Sequence, residues 1–203
     1  MDMGLLFSQG DFFSLSTGHL EKAKATARAI PEARLKVASD DELVEELVAS
    51  YSLMPPSVKW EDAAVSRTET QVDLMYVPNT MAYFDRRSFM APGEKVTVTV
   101  PFQGESDYFK VRPTSYTFNP PRARVNRDTL AFDYSGVQVD IDRSKREYEQ
   151  TKNEIVQCMT TLSNDCQGYN LQIAPAVRPI IQEKRNRMEK GEASLSGFGL
   201  PIK

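Results

Sequence analysis

The chain has 203 residues, enough for one large domain or two small ones, and 40% of them are hydrophobic, enough for a buried core. This composition excludes a disordered chain, and the net charge of −3 lacks the basic excess that is typical of nucleic-acid-binding domains. The charge is unevenly spread, because residues 1–66 carry an acidic excess and residues 143–190 a basic one.

Two absences indicate where the protein resides. No run of about 18 apolar residues is present, so no membrane-spanning helix is predicted. The segment Met1–Phe7 has no basic residue before its short apolar run, which is unlike a secretory signal peptide. We therefore expect a cytoplasmic protein.

Residues 1–66 are predicted to form a helical N-terminal region. A helix over Gly18–Ala29 is expected to end or kink at Pro31. Ser39 and Glu42 have the spacing of a capping box, which predicts the start of an amphipathic helix of about three turns. The outer face of that helix carries Asp41, Glu42, Glu45 and Glu46. These acids favour the helix N-terminus or, alternatively, form an acidic docking surface.

Residues 67–142 are predicted to form an antiparallel β region. The clearest strand is Glu94–Phe102, where valines alternate with threonines and make one face apolar. We expect a turn at Ala91–Gly93 before this strand and a hairpin with Tyr108–Arg112 after it. The other predicted extended segments are Val72–Val77, Tyr116–Phe118, Arg122–Asn126, Thr129–Tyr134 and Val137–Ile141, with a surface turn at Asp85–Arg87. The residues Asn126-Arg-Asp128 predict a second hairpin.

Residues 143–203 are predicted to form a helical hairpin with an apolar tail. An apolar stripe from Tyr148 to Cys166 predicts a helix of about 22 residues, which Gly168 ends. Pro175 then begins a second helix that runs to Lys190 and returns antiparallel to the first. Cys158 and Cys166 are predicted to be free core residues, because eight helical residues separate them by roughly 12 Å.

Together the three regions predict one continuous α+β domain. It has N-terminal helices, a central antiparallel β meander or small sandwich, and a C-terminal antiparallel helical hairpin.

The sequence contains none of the residue patterns that mark common catalytic or metal sites. His19 is the single histidine, and no Cys-x-x-Cys, Walker-type loop or Gly-x-Ser-x-Gly motif is present. Asp140 and Asp142 could hold a divalent ion with a third acid, although exposed acids at the end of a strand are usually solvated. We therefore predict no catalytic residue, no metal and no cofactor.

Two basic clusters are candidate binding sites. Arg122, Arg124 and Arg127 follow two prolines, and the first two would point the same way on a β-ribbon. They could clamp phosphates or pair with acids across strands. The second cluster, on the last helix, consists of Lys184, Arg185, Arg187 and Lys190. Its cations could bind phosphates or stabilise the helix C-terminus. No aromatic stacking platform adjoins either cluster, so nucleic-acid binding is the weaker hypothesis.

The C-terminal tail is a candidate docking segment, because apolar residues recur in it. These residues are Leu195, Phe198, Leu200 and Ile202.

Two stretches carry a resemblance to a known group of proteins. One runs from Val100-Pro-Phe-Gln-Gly104 through Phe109, Arg112-Pro113 and Asn119-Pro-Pro-Arg122 to Leu130, and the other from Asn170 and Ile173 through Arg185 and Arg187 to Gly197-Phe-Gly-Leu-Pro201. They resemble a poorly characterised N-terminal module of multidomain bacterial proteins, some of them associated with immune effectors such as TIR domains. The resemblance covers residues 40–203. It implies a defence-associated module that leads into further domains, and it implies no catalytic residue.

Three hypotheses for function follow. The leading one is a non-enzymatic interaction or regulatory module that senses or scaffolds, with a protein partner, self-association or a C-terminal effector domain supplying the rest. The alternative is a structural subunit of a phage particle or another large assembly. The third is nucleic-acid binding through Arg122, Arg124 and the basic helix.

Overall fold

The computed structural model describes residues 3–77, 88–115 and 119–196, without the side chains of residues 195 and 196. The helices are α1 (Phe12–Ala29), α2 (Glu32–Val37), α3 (Asp40–Tyr51) and α4 (Ile141–Ser196), with 3₁₀ helices at Trp60–Asp62, Leu74–Tyr76 and Ser106–Lys110. The strands are β1 (Gly4–Leu5), β2 (Gly10–Asp11), β3 (Ser57–Val58), β4 (Ala64–Asp73), β5 (Met90–Gln103), β6 (Val111–Arg112), β7 (Arg122–Val125) and β8 (Thr129–Gly136). The α+β class is therefore confirmed.

The chain packs as two compact units, which are described separately. The sheet unit contains Met1–Gly10 and Pro55–Thr161, and the helical unit contains Asp11–Met54 and Leu162–Lys203. The long helix α4 contributes its first part to the sheet unit and its remainder to the helical unit.

In the sheet unit, β5 is the central strand of an antiparallel sheet. It pairs with β4 on one side and with β8 on the other, while β7 and then β1 extend the sheet beyond β8. The short strand β3 pairs with the end of β5. In this register Val98 lies between Val65 and Phe132.

One face of this sheet forms the core of the sheet unit. Val100, Phe102 and Phe132 are buried there together with Phe109 and with Ile155 of α4. The rings of Phe102 and Phe109 meet edge to face, with their centroids 4.9 Å apart. Burial of large aromatic side chains stabilises a core by both area and ring geometry.

Several predictions for the β region are corrected. Ala91–Gly93 lies inside β5 and forms no turn. Ser106–Lys110 is a 3₁₀ helix, so Tyr108–Arg112 is not the hairpin partner of β5. The cause is tertiary, because Tyr108 and Phe109 are drawn into the core as buried side chains.

Two further segments differ from the prediction. β4 covers Ala64–Asp73 and is longer and earlier than the strand predicted at Val72–Val77. Val137–Ile141 forms no strand, because β8 already ends at Gly136 and α4 begins at Ile141. The hairpin at Asn126 is confirmed, and the Asn126 amide donates to the Thr129 carbonyl at 2.9 Å. The segments predicted at Tyr116–Phe118 and Asp85–Arg87 lie outside the described residues.

The helical unit contains α1, α2, α3 and the second part of α4. Its buried residues include Ala23 and Ala27 of α1, Leu35 of α2, Leu43 and Leu47 of α3, and Leu162, Cys166, Ile173, Val177 and Ile181 of α4. The capping box of Ser39 and Glu42 is confirmed at the start of α3. The helix predicted from Gly18 begins earlier, at Phe12, with Asp11 as its N-cap.

The prediction of a C-terminal helical hairpin is wrong, because α4 is one helix of 56 residues. Gly168, Pro175 and Pro179 all lie inside it. The three are exposed, whereas Ile173 and Val177 on the other side of the helix are buried. A buried apolar side can therefore hold the helix together through residues that would end an isolated one. Beside Gly168, the Asn170 side chain bonds both the amide and the carbonyl of Leu53, at 2.8 and 3.0 Å.

Cys158 and Cys166 are confirmed as free and buried residues. Burial raises the pKa of the Cys166 thiol to about 11. Within the described residues, no helix has the length and apolar content required to cross a membrane.

We predict that Gly168→Ala stabilises the protein by about 1 kcal/mol, because alanine is favoured over glycine inside a helix. A Cβ atom added at Gly168 would meet nothing within 4 Å. The measurement is the free energy of unfolding from urea titration followed by circular dichroism.

The matched control is Gly104→Ala, which should destabilise the protein. Gly104 has a φ of 113°, and its added Cβ would lie 3.0 Å from Cα of Pro56. A loss of stability in Gly168→Ala would contradict an unbroken helix, because it is the result expected of a helix-ending glycine.

Candidate binding groove

An apolar groove lies on the core face of the sheet, between β4 and the start of α4. Its volume is about 430 Å³. It is lined by Val65, Ser66 and Arg67 of β4, Val96 and Val98 of β5, Tyr134 of β8, and Ile141, Ser144, Lys145 and Tyr148 of α4. A volume of several hundred Å³ with mainly apolar walls is typical of ligand sites in proteins.

The floor of the groove is built by strand alternation and register. Val96 and Val98 face the core side of β5, two residues apart as the period of a strand requires. The register places Arg67 opposite Val96 and Val65 opposite Val98. Val65 is 70% exposed. An apolar floor is therefore left open to solvent along β4.

One wall of the groove is the first two turns of α4. Four residues with the spacing of one helix face form this wall: Ile141, Ser144, Lys145 and Tyr148. Asp140 precedes the helix, and its carboxylate accepts from the Arg143 amide at 2.9 Å. Ile141 is 59% exposed, so this wall also presents apolar surface to solvent.

Two cations lie at the groove, and one of them is already paired. Arg67 forms an ion pair with Glu94, while Lys145 is exposed. The Val139 amide donates to the Glu94 carboxylate at 2.7 Å, and this bond, against the effect of burial and with the help of Arg67, lowers the pKa of Glu94. The groove therefore has an apolar floor and an exposed cation, Lys145, that forms no ion pair with the described residues.

The two tyrosines of the groove are held as neutral phenols. Burial raises the pKa of Tyr134 to about 12, with Glu147 adding to the effect. Burial also raises the pKa of Tyr148, whose ring packs edge to face on Phe132 at 5.3 Å. At neutral pH neither phenol is ionised, so neither can act as a base in its resting state.

The three arginines predicted as one cluster on the β-ribbon have different surroundings in the structure. Arg124 pairs with Asp133 at 3.2 Å, which is the cross-strand alternative rather than the phosphate clamp. Arg122 and Arg127 are exposed and do not take part in that pair.

Asp133 is the centre of a polar cluster on the solvent face of the sheet. Thr97 donates to it at 2.7 Å and Lys95 pairs with it at 3.2 Å. Burial would raise the pKa of Asp133, but the bonds from Thr97 and Lys95 and the charge of Arg124 together lower it. Asp133 is therefore ionised and bonded by three side chains, whereas the buried Nε of Arg124 has no hydrogen-bond partner among the described residues.

The four basic residues predicted as a cluster on the last helix also differ in their contacts. Lys184 donates to the carbonyls of Arg28 and Ile30 at the end of α1, at 2.7 and 2.5 Å. Arg185 donates to the carbonyls of Leu35 and Ala38 and pairs with Asp40 at 2.8 Å. Arg187 and Lys190 are exposed, and Arg187 pairs with Glu183 within its own helix at 2.7 Å. Lys184 and Arg185 thus donate hydrogen bonds to backbone carbonyls at the ends of helices in the helical unit.

Of the predicted docking tail, Phe198, Leu200 and Ile202 lie outside the described residues, and the side chain of Leu195 is not described. Within the described ranges, no group of three or more His, Cys, Asp or Glu residues could hold a metal ion.

Sequence reasoning missed the groove because Val65 lies in a strand whose side chains are mostly polar. The spacing of Ile141, Ser144, Lys145 and Tyr148 was the available signal, but the first of these residues was assigned to a strand. Comparison with known proteins adds no family: no family model, no curated protein and no solved structure matches the chain.

We predict that Arg185→Met destabilises the protein by about 3 kcal/mol. The variant removes three charge-assisted bonds and leaves the carbonyls of Leu35 and Ala38 without their donor. The free energy of unfolding from urea titration measures the effect.

The matched control is Arg187→Met, two residues away on the same helix. The Arg187 side chain is 79% exposed, and an exposed pair of this kind contributes about 0–1 kcal/mol. Equal effects of the two substitutions would contradict the structural role assigned to Arg185.

Proposed function

We propose that the chain is a non-enzymatic interaction module that binds an apolar group of a protein partner in the groove. The observation that carries the proposal is the apolar floor of Val65, Val96 and Val98, of which Val65 is open to solvent, beside the exposed Lys145. An apolar side chain next to an acidic one fits this surface, because the floor excludes water and Lys145 attracts the anion.

The chemistry of the other polar residues supports a binding role over a catalytic one. Asp133 is satisfied by Thr97, Lys95 and Arg124, and both groove tyrosines are neutral at physiological pH. Among the described residues that line the groove, no nucleophile is paired with a base. A sensing or scaffolding role is consistent with a groove that recognises shape and apolar surface.

Nucleic-acid binding and a structural role in a large assembly stay as weaker proposals. Lys184, Arg185 and Arg124 are engaged in bonds within the protein, so the basic clusters offer fewer free cations than the sequence indicates. A gel shift that weakens when the exposed Arg122 and Arg127 are replaced, and falls steeply with salt, would favour nucleic-acid binding.

We predict that the protein binds the apolar anionic dye 1-anilinonaphthalene-8-sulfonate and that Val65→Glu weakens binding about tenfold. A carboxylate on the floor would have to be desolvated by the dye and would repel its sulfonate. The measurement is a fluorescence titration at fixed protein concentration.

The matched control is Val37→Glu, the same substitution at a valine of the helical unit that is 81% exposed. It should leave dye affinity unchanged. If both variants bind like the original chain, the groove is not the binding site and the proposal fails.

A second prediction separates charge from apolar contact. Lys145→Gln should weaken binding of the anionic dye several-fold but leave binding of the neutral dye Nile red unchanged, because only the anion gains from the cation. Equal loss for both dyes would mean that Lys145 acts by shape and not by charge.

A further inference from the structure

The strand β4 forms one edge of the sheet and is unusually open. It has ten residues, and β5 is its one partner among the described strands. Its residues from Ala64 to Glu69 are all exposed. Among the described residues, nothing pairs with the other edge of β4, so its outward N–H and C=O groups are available to another strand.

Several features that usually prevent edge pairing are missing from β4, and charged residues such as Arg67 and Glu69 are the ones that remain. Proteins commonly protect an edge with proline, lysine, a bulge or a very short strand. The sequence Ala-Val-Ser-Arg-Thr-Glu-Thr-Gln-Val-Asp contains no proline, lysine or glycine, and its ladder with β5 runs without interruption from Ala64 to Asp73. Its threonines and valines favour the extended conformation.

The charges of β4 indicate what kind of strand would pair with it. Glu69 lies directly opposite Glu94 of β5, and like charges in that position repel. Arg67 pairs with Glu94, and among the described residues no cation pairs with Glu69. A neighbouring strand that places a cation opposite Glu69 would therefore relieve the repulsion.

A second copy of β4 provides that cation in one register only. A two-fold axis perpendicular to the sheet keeps the core faces of both copies on the same side, so opposite residues must face the same way. Centring the axis on Arg67 places two arginines opposite each other, and centring it on Glu69 does the same with two glutamates. Centring it on Thr68 places Arg67 of each copy opposite Glu69 of the other.

We propose that the chain forms a homodimer in which two β4 strands pair antiparallel with Thr68 on the two-fold axis. The pairing runs from Ala64 to Val72 in each copy, joins the two sheets into one, and forms two equivalent cross-strand ion pairs. The Thr68 side chains meet at the centre, and threonine pairs are favourable at opposite positions of antiparallel strands. The interface borders the groove, because Val65, Ser66 and Arg67 of the paired strand also line the groove, whereas Thr68 does not.

The register is tested by disulfide trapping with Thr68→Cys in the full chain. Opposite Cα atoms in an antiparallel pair are about 4.5–5.5 Å apart, which is within disulfide range. The native Cys158 and Cys166 are buried, so the introduced thiol is the accessible one. Mild oxidation should convert most of the protein to a covalent dimer on a non-reducing gel.

The matched control is Thr70→Cys, two residues further along the same strand. In the proposed register the two thiols introduced by this substitution are four residues apart along the strand, about 13 Å, so no disulfide forms. Faster cross-linking of Thr70→Cys than of Thr68→Cys would overturn the register. Absence of cross-linking in both variants would overturn the dimer and leave the edge for a strand of another protein.

Charge reversal tests the ion pairs independently by sedimentation velocity. Arg67→Glu and Glu69→Arg each place like charges opposite one another, and each should weaken dimerisation about tenfold or more. The double variant, carrying both changes, restores opposite charges and should dimerise like the original chain. Glu69→Arg also removes the repulsion with Glu94 within the chain, and its circular dichroism spectrum checks that it folds like the original. A double variant as monomeric as the single ones, or a monomeric original chain at all concentrations, would overturn the proposal.

Discussion

The sheet unit depends on the alternation of side chains along β5. Val100 and Phe102 of one face fill the core, and Val96 and Val98 of the same face continue into the groove. Thr97 and Lys95 of the opposite face bind Asp133 on the solvent side of the sheet. Because the period of a strand is two, a shift of one residue in register would bury Lys95 and Thr97 and expose the valines. Core, groove and polar cluster are therefore fixed by one register.

The helical unit meets a different requirement, which is to supply hydrogen-bond partners for the backbone groups at the ends of its short helices. A helix leaves its last carbonyls without partners inside the helix, and α2 has only six residues. Arg185 and Lys184 supply donors to the ends of α2 and α1 from a distant part of the chain. Arginine suits this role because its planar group can donate to Asp40 and two carbonyls together. A basic pattern on a helix can thus serve the fold and not a ligand.

The sequence allows local features to be predicted better than those that depend on packing. The capping box of Ser39, the strand containing Val96 and the hairpin at Asn126 follow from short-range chemistry, and all three are present. The continuous helix through Gly168 could not be predicted in the same way, because glycine and proline disfavour a helix locally and only the buried side offsets that preference.

The candidate site was harder to predict than the fold for a related reason. Phe109 has a high β propensity, but the core draws it into a 3₁₀ helix. The groove is made by Val65, Tyr134 and Ile141, which lie far apart in the sequence, and their meeting depends on the register of three strands and the start of α4. Residue types alone point to the basic clusters as binding sites. Two of their members, Lys184 and Arg185, instead donate to carbonyls at helix ends.

The features left available for recognition are of two physical kinds. The groove offers apolar surface with one exposed cation, which attracts an apolar group without strict orientation. The edge of β4 offers backbone donors and acceptors. These groups fix the direction and register of a pairing strand but discriminate little between its side chains. In the proposed dimer these two kinds are combined on one strand, because β4 carries Val65 toward the groove and Thr68 toward the opposite face. A sheet joined through β4 would hold two grooves in a fixed relation, so a partner with two apolar groups could gain from binding both at once.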